Sequence, residues 1–200
     1  MKGKQLLNYI GNFVELTPEE ESLLSSKVVY KKYLKNQYIL QEGNISKAAS
    51  FIISGCTKTF FIDNKGQEYI VVLAIEGWWI ADIESFLRQK PSKYNVLCLE
   101  DTEVLQLNNN SIEELYKDIP KLERFWRIMM ENAYIASQKR VLINLTLTAK
   151  ERYLIFKKSY PKIESRIPQY LIASYLGITK EFLSKIKSQL NKQHKNIKLD

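Results

Sequence analysis

The stretch Ile167 to Lys187 holds the side chains in this chain best suited to chemistry, and that chemistry is recognition, not bond-making. It reads Ile-Pro-Gln-Tyr-Leu-Ile-Ala-Ser-Tyr-Leu-Gly-Ile-Thr-Lys-Glu-Phe-Leu-Ser-Lys-Ile-Lys. Two helices that pack closely need a small residue between them, which Ala173 supplies. The turn between them needs a residue that reaches positive φ without a Cβ clash, which Gly177 provides. Ile178 is placed to plug the interior, and Thr179 to accept from a free amide at the start of the second helix. Pro168 suits the first position of the first helix. With Leu183 and Ile186 facing inward, Lys180, Glu181, Ser184, Lys185 and Lys187 remain for other faces. Lysine donates to guanine edges or phosphate, a carboxylate accepts from cytosine, and serine does either. Together with Thr179, these residues are expected to read duplex DNA as a helix-turn-helix. The simpler alternative is a helical hairpin with a solvated basic face. The fit of Ala173, Gly177 and Thr179 to their required places favours the first reading, and Glu181 argues against a surface made for phosphate alone.

The charge distribution points to the same segment. Residues 1–147 carry 18 basic and 18 acidic side chains and residues 148–200 carry 12 and 4, so the whole net charge of +8 lies in the last quarter. A neutral body with a basic end is the footprint of a nucleic-acid binder joined to a separate sensing or scaffolding part. A solvated basic tail would give the same count.

Other chemistries find little support. The single histidine, His194, lies in a polar tail, and Cys56 and Cys98 sit apart within apolar runs. No metal site or nucleophilic triad is expected, and the cysteines read as buried thiols. Asp82 and Glu84 are two apart, so on a helix they would not converge as a catalytic carboxylate pair. No apolar run approaches the ~20 residues of a membrane span, and Met1 to Ile10 lacks the pattern of a signal peptide, so a cytoplasmic location is expected.

The elements that position these residues are expected in four segments. Thr17-Pro18-Glu19-Glu20 opens a short helix reaching about Ser25. From about Lys27 to Leu107, runs rich in β-branched and aromatic residues (Val28–Tyr30, Tyr38–Leu40, Ser50–Ile53, Lys58–Ile62, Glu68–Leu73, Asn95–Leu99, Glu103–Leu107) read as strands. Gly43, Gly55, Gly66 and Gly77 punctuate them, Asp63 to Gly66 makes a hairpin turn, and Ile80 to Arg88 interrupts as a short helix. This spacing indicates an antiparallel sandwich or barrel. Ser111-Ile112-Glu113-Glu114 is expected to cap a short helix. Pro120 then starts a long helix to about Asn144, with a narrow stripe of Leu122, Phe125, Trp126, Met129, Ala133, Ala136 and Ile143 that can pack on the sheet, on its own copy, or on both. Thr148-Ala149-Lys150-Glu151 opens another helix that Pro161 ends, with a turn before Ile167.

In this order the chain resembles the Crp/Fnr family of transcription regulators over nearly its full length. The landmarks are Ile39-Leu40-Gln41-Glu42-Gly43, Phe51-Ile52-Ile53-Ser54-Gly55, Gly77-Trp78-Trp79-Ile80-Ala81-Asp82 and the C-terminal module. The resemblance implies an α+β chain. Its parts would be an antiparallel β-roll of jelly-roll type resembling a cyclic-nucleotide-binding sensor (1–118), a long dimerisation helix (119–145) and an all-helical helix-turn-helix domain (146–200). It implies a homodimer through Leu122, Phe125, Trp126, Met129, Ala133 and Ala136, an inverted-repeat DNA target, RNA polymerase as a partner, and a small-molecule effector. It places Trp78, Trp79, Asp82, Ser92, Lys93, Ser137 and Gln138 around a ligand pocket.

The family's nucleotide-binding residues are changed in this chain. Cyclic-nucleotide binders hold the ribose with a Gly-Glu pair and the cyclic phosphate with an arginine. Here Ala81-Asp82 and Pro91-Ser92-Lys93 stand at those places. Losing the arginine removes a charge-assisted pair worth roughly 1.5–3 kcal/mol, so weak or no cAMP binding is expected and no cofactor is assigned. Trp78 and Trp79 would either wall a pocket for another ligand or split between the core and the underside of the cassette, since neighbouring strand residues point to opposite faces. The cysteines and His194 do not suit an iron–sulfur cluster or haem. The ten residues from Asn191 are too few for a two-stranded wing, so Lys192, Lys195 and Lys198 are expected to touch phosphate instead. A ligand sensor with secondary DNA contact, and a protein adaptor using the helical hairpin, are the alternative readings.

Overall fold

The computed structural model describes residues 3–197, with side chains for residues 3–192. Two helices lead the chain, α1 (Lys4–Gly11) and α2 (Pro18–Lys27). In α2 the Thr17 hydroxyl accepts from the Glu20 amide at 3.3 Å and the Glu20 carboxylate accepts from the Thr17 amide at 2.8 Å. This is the reciprocal cap its sequence signals. The sequence reading did not separate α1, whose Leu6 and Ile10, one helical turn apart, are both buried.

Among the described residues, eight strands form two four-stranded sheets. The strands are β1 (Val29–Tyr33), β2 (Tyr38–Leu40), β3 (Ala48–Ser54), β4 (Thr57–Ile62), β5 (Glu68–Ala74), β6 (Trp79–Ile80), β7 (Asn95–Cys98) and β8 (Thr102–Asn108). One sheet runs β1-β8-β3-β6 and the other β2-β7-β4-β5, with every pairing antiparallel. Leu40, Ile52, Ala74, Ile80, Val96 and Val104 fill the space between them. At the end of β3, Gly55 must remain without a side chain, because a Cβ there would lie 2.4 Å from Thr102 Oγ1. A short helix, α3 (Ile83–Arg88), follows β6.

The rest is helical: α4 (Asn109–Asp118), α5 (Lys121–Thr146), α6 (Ala149–Ser159), α7 (Pro161–Arg166), α8 (Gln169–Tyr175) and α9 (Lys180–Ile197). Three expectations are corrected here. Asn108, not Ser111, caps α4, its side-chain oxygen accepting from the Ser111 amide at 2.7 Å. The expected turn after Pro161 is the helix α7, which buries Ile163. Pro168 occupies the cap position of α8, one residue before the helix begins.

The stripe on α5 is corrected as well. Leu122 and Phe125 are buried inside the protomer, and Trp126 and Met129 pack on the same cluster. They lie against the outer face of the first sheet, with Phe51, Leu105 and Leu107, and against Leu6, Ile10 and Leu115. A ring ladder joins the parts: Trp79 meets Trp126 at 4.7 Å and Phe51 at 5.4 Å, and Tyr9 meets Phe51 at 5.1 Å. The first half of the stripe therefore belongs to this sheet. Ala133 and Ala136 are exposed.

Beyond Met129 the outward side of α5 carries exposed Met130, Tyr134, Val141 and Leu145. Their steps of four, seven and four residues bring them to one face of a 3.6-residue helix. The outer face of the second sheet is covered by the C-terminal helices: Phe60, Ile70 and Leu73 share one cluster with Phe156, Ile163, Leu171 and Ile172.

Candidate nucleic-acid interface

Helices α8 and α9 are joined by a tight turn at Gly177, whose φ is +67°. A residue with a Cβ would be strained in that conformation. Ala173 is buried where the helices meet, and its carbonyl accepts from the Ile178 amide at 3.0 Å. Thr179 caps α9, its hydroxyl accepting from the Phe182 amide at 3.2 Å. Leu183 and Ile186 face inward and are fully buried. Thr179, Lys180, Glu181, Ser184 and Lys185 are all exposed, spread over the outward side of the first turns of α9.

Lys187 departs from the expected set. Its ammonium is 2.8 Å from the Glu164 carboxylate on α7 and lies over the Tyr153 ring. The contact holds the Glu164 carboxyl below the usual carboxylate range. Lys187 thus ties α9 to the helices beneath it and does not extend the exposed set. Lys187 stands one turn after the buried Leu183, at the margin of the inward face, where its long side chain can reach inward to Glu164. Lys192 is exposed, while the side chains of Lys195 and Lys198 lie outside the described residues.

Two arginines that the sequence reading passed over join this module to the rest. The guanidinium of Arg166, at the end of α7, donates to both Glu76 oxygens at 2.8 Å and to the Glu100 carboxylate. Glu76 and Glu100 lie in the β5–β6 and β7–β8 turns. The Arg166 contact, helped by the Gly55 amide, lowers the Glu76 carboxyl from 4.5 to about 2. Arg140 on α5 donates to the backbone carbonyl oxygens of Ile70 and Val71 on β5 and of Tyr175 on α8, and stacks over the Tyr175 ring at 4.1 Å. It thereby links the long helix, a sheet edge and the first helix of the helix-turn-helix. Nothing in local spacing marks either arginine, because every partner is distant in sequence.

The residues expected around a ligand pocket do not converge. Trp79 stacks under α5, whereas Trp78 meets Tyr160 at 5.7 Å on the other side. Asp82 is buried as the cap of α3, accepting from the Ser85 amide at 3.2 Å and from the Ser92 hydroxyl at 2.7 Å. Ser92 in turn accepts from the Tyr94 amide at 2.9 Å. Lys93 is exposed, as are Ser137 and Gln138 on α5. A cyclic nucleotide does not fit this arrangement. The carboxylate and hydroxyl at the ribose and phosphate positions are committed to each other and to backbone, and no arginine stands beside them.

Comparison with known proteins agrees with this architecture. Residues 30–118 match the cyclic nucleotide-binding domain family. The chain is 25% identical over 175 residues to electron transport regulator A of Shewanella oneidensis, an alignment covering 81% of this chain and 68% of that protein. It is also 25% identical over 189 residues to the anaerobic regulatory protein of Pasteurella multocida, covering 88% and 68%. Among solved structures, FixK2 from Bradyrhizobium japonicum superposes with a TM-score of 0.70 at 18% identity, covering 84% of this chain and 86% of that one. Residues 30–118 thus form a cyclic-nucleotide-binding-type domain, and with a long helix and a C-terminal helix-turn-helix following in this order the chain as a whole is similar to Crp/Fnr-type transcription regulators.

Proposed function

We propose that the chain acts as a homodimer in the cytoplasm and reads an inverted-repeat operator, with residues 1–118 as sensor, 119–145 as dimerisation helix and 146–200 as reader. The observation that carries this reading is the exposed set Thr179, Lys180, Glu181, Ser184 and Lys185 on a helix fixed by the Gly177 turn and the Thr179 cap. Lys180 and Lys185 donate to guanine edges or phosphate, Glu181 accepts from cytosine, and Ser184 adapts to either. Lys192, farther along α9, contacts phosphate. The two reading helices of a two-fold dimer enter successive major grooves, so the half-sites lie about 34–36 Å apart.

The exposed Met130, Tyr134, Val141 and Leu145 supply the dimer seam. This assignment replaces Leu122, Phe125, Trp126 and Met129, which the protomer uses internally. The effector is not a cyclic nucleotide, because the cassette is closed upon itself through Asp82 and Ser92. A surface on the promoter-bound dimer contacts RNA polymerase.

Fluorescence anisotropy with a bound duplex tests the reading. Lys180→Ala and Lys185→Ala together should weaken binding at least a hundredfold, while Lys93→Ala should not. Unchanged affinity in the double variant would favour a protein adaptor instead.

A further inference from the structure

Between Lys180 and Lys187, Phe182 alone is both apolar and exposed, with 48% of its surface open to solvent. Its helix neighbours Leu183 and Ile186 lie in the core shared with α6, α7 and α8, and Ile178 and Leu190 pack against that core. Phe182 belongs to neither group. Packing within the protomer therefore does not account for a phenyl ring at this place. Its backbone is nonetheless fixed, because the Phe182 amide donates to Thr179 Oγ1 at 3.2 Å in the cap that starts the helix. At 100° per residue, Phe182 stands about 60° around α9 from Lys185 and about 4.5 Å before it along the axis. It thus flanks the polar set on the side of Lys185, about 160° from Lys180.

The chemistry of a phenyl ring limits what it can meet on DNA. It makes no strong hydrogen bond, so phosphates and polar base edges offer nothing in return for the water it loses. The major groove presents one apolar group, the C5 methyl of thymine. The residues of a reading helix that reach base edges are those near its N-terminus, and Phe182 is the third residue of α9.

We propose that Phe182 is a specificity-determining residue that reads thymine through its C5 methyl. Each half-site then carries one thymine at a fixed place, next to the contact made by Lys185. The assignment rests on the reading of α9 proposed above and adds a position that its polar side chains do not specify. Lys180, Glu181, Ser184 and Lys185 read hydrogen-bonding groups, which uracil shares with thymine. Phe182 reads the one group that uracil lacks.

The test uses the duplex that the chain itself selects from a random pool, with each thymine replaced in turn by deoxyuridine and affinity read by fluorescence anisotropy. One thymine per half-site should prove sensitive, with affinity falling roughly fourfold per half-site, the value of one buried methyl, and more than tenfold when both are replaced. Phe182→Ala should bind the thymine and uracil duplexes equally, and its circular dichroism should match that of the unaltered chain. Phe182→Leu, which keeps an apolar side chain, should retain part of the preference. Lys180→Ala, on the opposite flank, should weaken both duplexes and leave the preference intact. A selected site with no uracil-sensitive thymine, or a preference that persists unchanged in Phe182→Ala, overturns the role of Phe182 while the reading of DNA by α9 stands. A chain that selects no duplex refutes the regulator reading, and the role of Phe182 with it.

Discussion

Arg166→Met tests how the reading module is held against the sensor. The guanidinium makes a two-pronged contact with Glu76 and a second contact with Glu100, which join α7 to two turns of the β-roll. Lowering Glu76 from 4.5 to about 2 would correspond to about 3 kcal/mol if each pH unit counted in full. The Glu76 side chain keeps 38% of its exposure, so solvent screening reduces this to about 1–2 kcal/mol. A carboxyl held below its ordinary range adds stability that is complete above about pH 4.5 and is lost as the pH falls toward 2. Urea unfolding followed by tryptophan fluorescence is the assay, since Trp78 packs on Tyr160 at this junction. The variant should lose about 1–2 kcal/mol at pH 7, and its deficit should shrink below pH 4.5. Glu76→Gln should give a similar loss, and the two changes together should cost less than their sum. An unchanged unfolding free energy at pH 7, or a deficit that stays constant down to pH 2.5, would refute the reasoning.

Other expectations follow from the same contacts. Tyr134→Glu with Val141→Glu should convert a dimer to monomers in sedimentation equilibrium without changing the thermal midpoint of the β-roll. Thr179→Ala should cost about 1 kcal/mol by removing the cap of α9, and Gly177→Ala should cost about as much or more through its positive φ, both read by denaturant titration. Cyclic AMP should give no saturable heat at micromolar concentration, a prediction that calorimetry checks. Burial pushes Cys56 up to about 12 and Cys98 to about 11, so neither thiol should react with a chromogenic disulfide reagent at pH 8 until the chain unfolds.

The sequence was most legible where the constraint is local. Thr17 and Thr148 both cap their helices with the glutamate three residues on, because a capping box is satisfied within one turn. The seven runs of β-branched and aromatic residues became strands, and Gly177 took the positive φ its place required. The short strand β6 was hidden, since two residues show no alternation. Helix α7 was hidden behind Pro161, which ends α6 but also starts the next helix. The stripe on α5 was legible as apolar with both neighbours open, and its first half rests on the sheet. Nothing along the helix tells whether Phe125 meets another chain or the sheet on which it rests. Arg140, Arg166 and Lys187 were illegible for the same reason, as their partners lie 23 to 90 residues away. In the cassette, Ala81-Asp82 and the missing arginine at Pro91-Ser92-Lys93 were visible in sequence, but the bond between Asp82 and Ser92 was not.

Selection of bound sequences from a pool of random duplexes, using the unliganded chain, tests the central claim most directly. The account predicts an enriched inverted repeat with half-sites one helical turn apart, lost when Lys180, Glu181 and Lys185 are replaced by alanine. Enrichment of no sequence, or of the same sequence by the substituted protein, would contradict it.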